Sequence, residues 1–207
     1  MHLRTAAVLL LAAAPAVAGV PDKGDGTITL LGGLRAIPGG AYRSETGAKH
    51  ALFHPGFLLG FGFQPDDELH AGIQLGYGLD QYGDGADPNT LKIRSFLILL
   101  EIDTALLQQS WFTLYAGGGL GYSLNTISRP TGDLEANSAA GFIALGFRFR
   151  LADHVGAVIE ERYTVSSAAA DTNASNTVNM GGNLLSAGLI FHFFSPEDKG
   201  HPTPPGG

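Results

Sequence analysis

Residues 53–79 read FHPGFLLGFGFQPDDELHAGIQLGYGL, two apolar stretches joined by a short acidic, proline-containing turn. In the first, Phe57, Leu59, Phe61 and Phe63 alternate with Gly60, Gly62 and Gln64; in the second, Ile73, Leu75, Tyr77 and Leu79 alternate with His70, Gln74 and Gly76. A period of two is the signature of a β-strand with unlike faces. One face here is continuously apolar, and the other carries glycine and polar side chains. A soluble sheet buries its apolar face against a second layer, whereas a membrane barrel turns that face to lipid and keeps the polar one inside.

Working outward, the same period predicts eight strands: Gly26 to Ile37, Phe53 to Gln64, Leu69 to Leu79, Leu91 to Asp103, Trp111 to Leu124, Ala140 to Leu151, Val155 to Ser166 and Asn183 to Phe194. Each is long enough for a tilted transmembrane strand, which needs about 9 to 11 residues. Long and short connections alternate. Pro38 to Leu52, Asp80 to Thr90, Asn125 to Ala139 and Ser167 to Gly182 are polar or rich in Gly and Asn, while Pro65 to Glu68, Thr104 to Ser110 and Ala152 to His154 are short. Outer-membrane barrels sort their connections this way, with short periplasmic turns and longer external loops. The expected fold is therefore all-β: an eight-stranded antiparallel up-and-down transmembrane β-barrel, with both ends of the chain in the periplasm.

The ends of the chain read differently from this middle. Arg4 precedes an unbroken apolar run from Ala6 to Ala14, too short to span a bilayer, followed by Pro15 and the small residues Ala16, Val17 and Ala18. This predicts a signal peptide over residues 1–18, cleaved before Gly19. The barrel is assigned to residues 19–194, and residues 195–207 form a tail rich in Pro and Gly. The chain has no cysteine, which excludes lipidation at cysteine, disulfides and thiol catalysis. A formal charge of −7 with only 12 Lys and Arg argues against nucleic acid as a partner, since phosphate neutralisation needs a basic stripe. The longest later apolar patch, near Phe96 to Leu100, is too short for a spanning helix.

Alternation also sorts the charges. Phe96, Ile98, Leu100 and Ile102 lie opposite Ser95, Glu101 and Asp103; Ile143, Leu145, Phe147 and Phe149 lie opposite Arg148 and Arg150. A charge facing lipid at the midplane costs about 2 to 4 kcal/mol, so Arg35, Glu101, Asp103, Arg148, Arg150, Glu160 and Arg162 are expected to share the lumen. The three-residue turn Ala152 to His154 would set Arg148 opposite Val158, with Glu160 as its diagonal neighbour, and predicts an Arg148–Glu160 contact. Glu160 and Glu161 are adjacent and cannot both face inward without a bulge, so the alternation does not place that pair. Gly117, Gly119 and Gly121 fall on the inner face, where a narrow bore leaves little room.

Chemistry is sparse. No histidine is followed two residues later by serine, the arrangement of one lipid-deacylating barrel type, and His70 and His192 lack a nucleophile in their own strands. The run from Asp80 to Asp87 has a calcium-loop flavour, but Tyr82 and Leu91 stand where the template needs ligands. No catalytic constellation, metal site or cofactor is expected.

With eight strands, alternating loops and a final strand carrying Leu185, Ala187, Leu189, Phe191 and Phe193 on one face, residues 26–194 resemble the small outer-membrane barrels of the OmpA transmembrane domain, OmpX and OmpW type. The resemblance implies an assembly signal at Leu189, Phe191 and Phe193 that the barrel assembly machinery reads. Here the tail moves that signal away from the extreme C-terminus. The tail is also too short to be a peptidoglycan-binding domain. The resemblance implies residence in the bacterial outer membrane as a monomer, with outer-membrane lipid and the assembly machinery as partners. A non-enzymatic role in envelope structure or surface interaction through the outer loops is expected, with the lumen plugged by charge. The alternative is a narrow, porin-like channel for small solutes or apolar molecules.

Overall fold

A computed structural model gives the fold and describes residues 24–36, 54–66, 68–82, 91–129, 132–152, 154–169, 177–179 and 181–193. The expected signal segment, the C-terminal tail, the first long loop and most of the second lie outside the described residues. Among the described residues ten strands run in chain order: β1 Gly26–Ala36, β2 His54–Phe63, β3 Leu69–Tyr82, β4 Leu91–Gln108, β5 Phe112–Arg129, β6 Gly132–Glu135, β7 Ser138–Ala152, β8 Val155–Ala169, β9 Thr177–Asn179 and β10 Gly182–Phe193. Eight of them pair as antiparallel neighbours in the order β1-β2-β3-β4-β5-β7-β8-β10, and β10 returns to pair with β1. The sheet is closed, so no strand of the ring presents an open edge, as a bilayer requires.

The short strands β6 and β9 lie outside this ring. β6 folds back on the end of β5, from Thr126↔Glu135 to Arg129↔Gly132, and β9 pairs with the last residues of β8. Gly132 has φ +127°, which L side chains rarely adopt, and so supplies the turn. The stretch from Asn125 to Ala139, expected as a loop, is therefore largely a hairpin, because the alternation of Asn125, Ile127 and their neighbours continues past the lipid belt. β4 likewise runs on to Gln108 through a register shift between Ala105 and Leu107, and the turn shrinks to residues 109–111. That turn closes through the Gln109 N–H donating to Phe112 C=O at 2.8 Å. The turn before β3 is held by Asp66, whose carboxylate accepts from the Glu68 and Leu69 N–H groups at 2.9 and 2.7 Å. Such side-chain acceptors are how Asp nucleates tight turns.

Burial alternates along each strand of the ring. The outer face carries large apolar side chains such as Leu120, 73 % exposed, and Ile143, 67 % exposed. Water-soluble monomers do not present a continuous apolar girdle of this kind. The inner face is filled by a fit between large side chains and glycine notches. A Cβ on Gly78 would lie 2.6 Å from Arg35 Nη1, and one on Gly146 would lie 2.5 Å from Tyr115 Oη. Leu58 and Leu97 fill the notch at Gly76 in the same way. Eight strands leave a bore just wide enough for side chains, and glycine opposite bulk is how this chain fills it.

Candidate functional site

The lumen holds the polar groups, and three clusters occupy it. Nearest the short turns, Arg148 on β7 donates from Nη1 and Nη2 to the two carboxylate oxygens of Asp103 on β4, at 2.9 and 2.7 Å. Asp103 also accepts from His70 Nδ1 at 2.8 Å, while His70 Nε2 stands 2.9 Å from the Thr27 hydroxyl. A step further in, Arg162 on β8 donates from Nε to Glu160 at 2.9 Å and from Nη1 to Gln74, and its Nη2 lies 3.6 Å from Glu101. The Tyr115 hydroxyl donates to the second Glu160 oxygen at 2.8 Å. Towards the long loops, Arg35 Nη1 meets Asp80 at 3.1 Å.

Aromatic faces tie the two inner clusters together. The Arg148 guanidinium sits 4.1 Å from the centre of the Tyr115 ring, and that of Arg162 sits 3.9 Å from the centre of Phe142. A planar guanidinium can stack in this way while its edge donates to carboxylates. Between them and the Arg35–Asp80 pair runs an apolar layer that includes Leu31, Leu58 and Leu184. Leu99 and Phe142 form a second apolar cluster beside it. The closure is thus layered: ion pairs, hydrocarbon, then one further ion pair.

The expected lumen residues all face the interior side of the wall, but the pairing differs from the reading of the sequence. Arg148 does not pair with Glu160. The register does set Arg148 opposite Val158, as expected, yet Glu160 lies opposite Gly146, and the Tyr115 hydroxyl occupies that notch and takes the carboxylate. Arg148 reaches across β5 to Asp103 instead. Leu151 is left out of the ladder by a register shift between Arg150 and Ala152. Arg150 is half-buried near the turn end.

Four participants were not foreseen. Asp80 falls at the start of an expected loop, yet it continues the inward series His70, Gln74, Gly76, Gly78, and that parity is the available signal. With it three arginines, Arg35, Arg148 and Arg162, meet four carboxylates, Asp80, Glu101, Asp103 and Glu160. Tyr115, Gln74 and Thr27 carried no signal beyond parity. Glu161, unplaced by alternation, faces outward with no bulge between it and Glu160.

Thr27, His70 and Asp103 stand in the order of a hydroxyl, a base and an orienting carboxylate. Thr27 is 1 % exposed, however, so no carbonyl carbon can reach its oxygen. His70, Glu101 and Asp103 also bring potential metal-ligand atoms within 4.8 Å of one another. Both Asp103 oxygens are already held by Arg148, and both His70 nitrogens are engaged, so an ion would have to displace existing bonds. The arrangement is chemically that of a buried ion-pair network, in which Glu101 Oε2, Arg162 Nη2 and Asp80 Oδ1 make no hydrogen bond.

Comparison with known proteins agrees with this architecture. The family described as "Outer membrane protein beta-barrel domain" matches residues 5–193. Among solved structures, Neisserial surface protein A is 15% identical with a TM-score of 0.58, over 83% of this chain and 98% of that one. The N-terminal β-barrel domain of Pseudomonas aeruginosa OprF is 14% identical with a TM-score of 0.54, over 83% and 98%. The attachment invasion locus protein Ail of Yersinia pestis, in complex with the heparin analogue sucrose octasulfate, is 10% identical with a TM-score of 0.53, over 83% and 99%. No curated protein sequence matches the chain.

Proposed function

Because this chain belongs to the outer-membrane protein β-barrel family, a bacterial outer-membrane protein in residence, we propose that it is a non-enzymatic barrel that does not conduct. Its role is envelope structure or surface interaction, exerted through the connections beyond the long-loop end of the wall. The observation that carries this reading is the layered filling of the bore, in which the Arg162 cluster, the Leu31, Leu58 and Leu184 layer and the Arg35–Asp80 pair follow one another. A permeating ion would have to break buried ion pairs and then cross hydrocarbon, each step costing several kcal/mol.

With an even number of strands the two termini share one side, which this reading places in the periplasm. Leu189, Phe191 and Phe193 point outward along β10, where the assembly machinery could read them. A surface partner should differ from the sulfated ligand bound by the Yersinia protein, since a chain of formal charge −7 does not attract a polyanion.

Single-channel recording of the refolded protein in a planar bilayer tests the proposal. The wild type should show little or no steady conductance, and Glu160→Ala should raise the frequency of open events. A large, stable wild-type conductance would overturn the reading in favour of a channel.

A further inference from the structure

Glu161 stands on the outer face of β8, exposed, with Leu145 of β7 and Leu185 of β10 as its cross-strand neighbours. The outward series along β8 is Val155, Ala157, Ile159, Glu161, Tyr163 and Val165. At about 3.3 Å per residue and a tilt near 40°, that series covers the roughly 25 Å apolar belt, and Glu161 lies about 10 Å inside its nearer edge. A glutamate side chain is too short to carry its carboxyl to the headgroups from there.

Among the described residues, no other Asp, Glu, Lys, Arg or His side chain faces lipid within the belt. Lys92 and Arg94 also face outward, but at the loop end of β4, beyond Phe96. Glu161 makes no hydrogen bond or ion pair with any described residue. Beside it a shallow recess of about 210 Å³ is lined by Ile143, Ala144, Leu145 and Tyr163. An intramembrane ionisable group without a partner in its own chain marks a functional contact by default.

We propose that this face is where a second copy of the chain docks, with the two Glu161 carboxyls meeting across a two-fold axis. Symmetry favours a copy over a foreign protein. In a two-fold contact a residue on the axis meets itself, and a carboxyl can do so productively, one oxygen donating a shared proton and the other accepting. A head-to-tail contact would need a lipid-facing cation at the same depth, and the described residues offer none. Small side chains ease the approach: Ala187 is diagonal to Glu161 on the side of the short turns, Ala157 lies one outward position past Ile159, and Gly141 lies beyond Ile143. The pairing replaces the monomer expected from the sequence and is independent of whether the lumen conducts.

The absence of cysteine from the chain makes the geometry testable. Leu145→Cys, one strand from the axis and so beyond disulfide reach of its copy, should be joined by a bis-maleimide cross-linker to give a product at twice the chain mass in outer membranes, whereas Ile73→Cys on the opposite wall should not. In lipid vesicles, energy transfer between donor- and acceptor-labelled copies should fall on dilution with lipid. Glu161→Leu should weaken the association about 3- to 30-fold, the range expected for one polar pair within a membrane. Glu161→Gln, which keeps a donor and an acceptor, should largely preserve it. Because residue 161 faces lipid, both variants should fold, which heat-modifiability on gels verifies. Equal cross-linking at positions 73 and 145, association indifferent to Glu161→Leu, or a cross-linked product of another mass would each overturn the proposal.

Discussion

Glu160 and Glu161 are consecutive in β8, yet one backbone separates two solvents. Inside, Glu160 is 1 % exposed and accepts from Tyr115 on one oxygen and Arg162 on the other. Outside, Glu161 has Leu145 and Leu185 across the strand pairs, Ile143 and Tyr163 beside it, and lipid. The same side chain is thus fully satisfied on one face and unsatisfied within its chain on the other. The difference teaches that position on the pleat, not residue type, decides what a charge does in this wall. A polar side chain in the lumen belongs to the folding of one chain, whereas a polar side chain on the lipid face has work to do only between molecules.

The contrast breaks first at Glu160. Glu160→Ala strands Arg162 and Tyr115 in the bore, and the loss of one member of a buried ion-pair network costs about 3 to 5 kcal/mol. Urea titration of the barrel in lipid vesicles should register that loss, and an unchanged folding free energy would mean that the network is not part of the fold's stability. A smaller effect comes from placing a new charge on the outer face. Leu120→Arg, far from any lipid-facing carboxylate, should cost about 2 to 4 kcal/mol in the same titration. Leu145→Arg should cost about 1 kcal/mol less, because the new guanidinium has Glu161 directly across the strand pair. Equal costs at the two positions would remove Glu161 from the surface that position 145 shares. The smallest effect is Glu161→Gln itself, which should change the unfolding free energy of the dilute protein by less than about 0.5 kcal/mol, as lone surface substitutions do.

How much of this was legible in the sequence follows from which quantities are local. Alternation is local, so the eight strands of the ring, their outward sets from Phe57 to Phe193, and the inward placement of Glu101, Asp103, Arg148 and Arg162 could all be read from it. Strand ends were less legible, because nothing in Thr126 or Ile127 marks where lipid stops and a hairpin continues in water. The run from Asp80 to Gly85 reads as turn chemistry, which hid the parity that sends Asp80 inward to Arg35. The partner of each charge was not legible at all. Arg148 finds Asp103 two strands away, and that depends on the stagger accumulated around the whole ring, a property of no single hairpin. Glu161 shows the reverse: its neighbours were readable, but its place had to wait until Glu160 was fixed inside.

The pairing of β1 with β10, from Gly26↔Phe193 to Ala36↔Asn183, joins the two ends of the barrel sequence. Every other strand in the ring finds its neighbour through one connection, whereas this seam cannot form until the last strand exists. Until then the nascent sheet has two open edges and an outer surface that water rejects, the condition in which strands aggregate. Loop-closure entropy for the seam must be met before its eleven paired positions repay it, which makes this the most non-local pairing of the ring. The lumen network draws on the same closure, since Arg35 lies on β1, Arg148 and Arg162 lie on β7 and β8, and several of their acceptors lie on β3 and β4. The wall is therefore complete only when the chain's first strand meets its last.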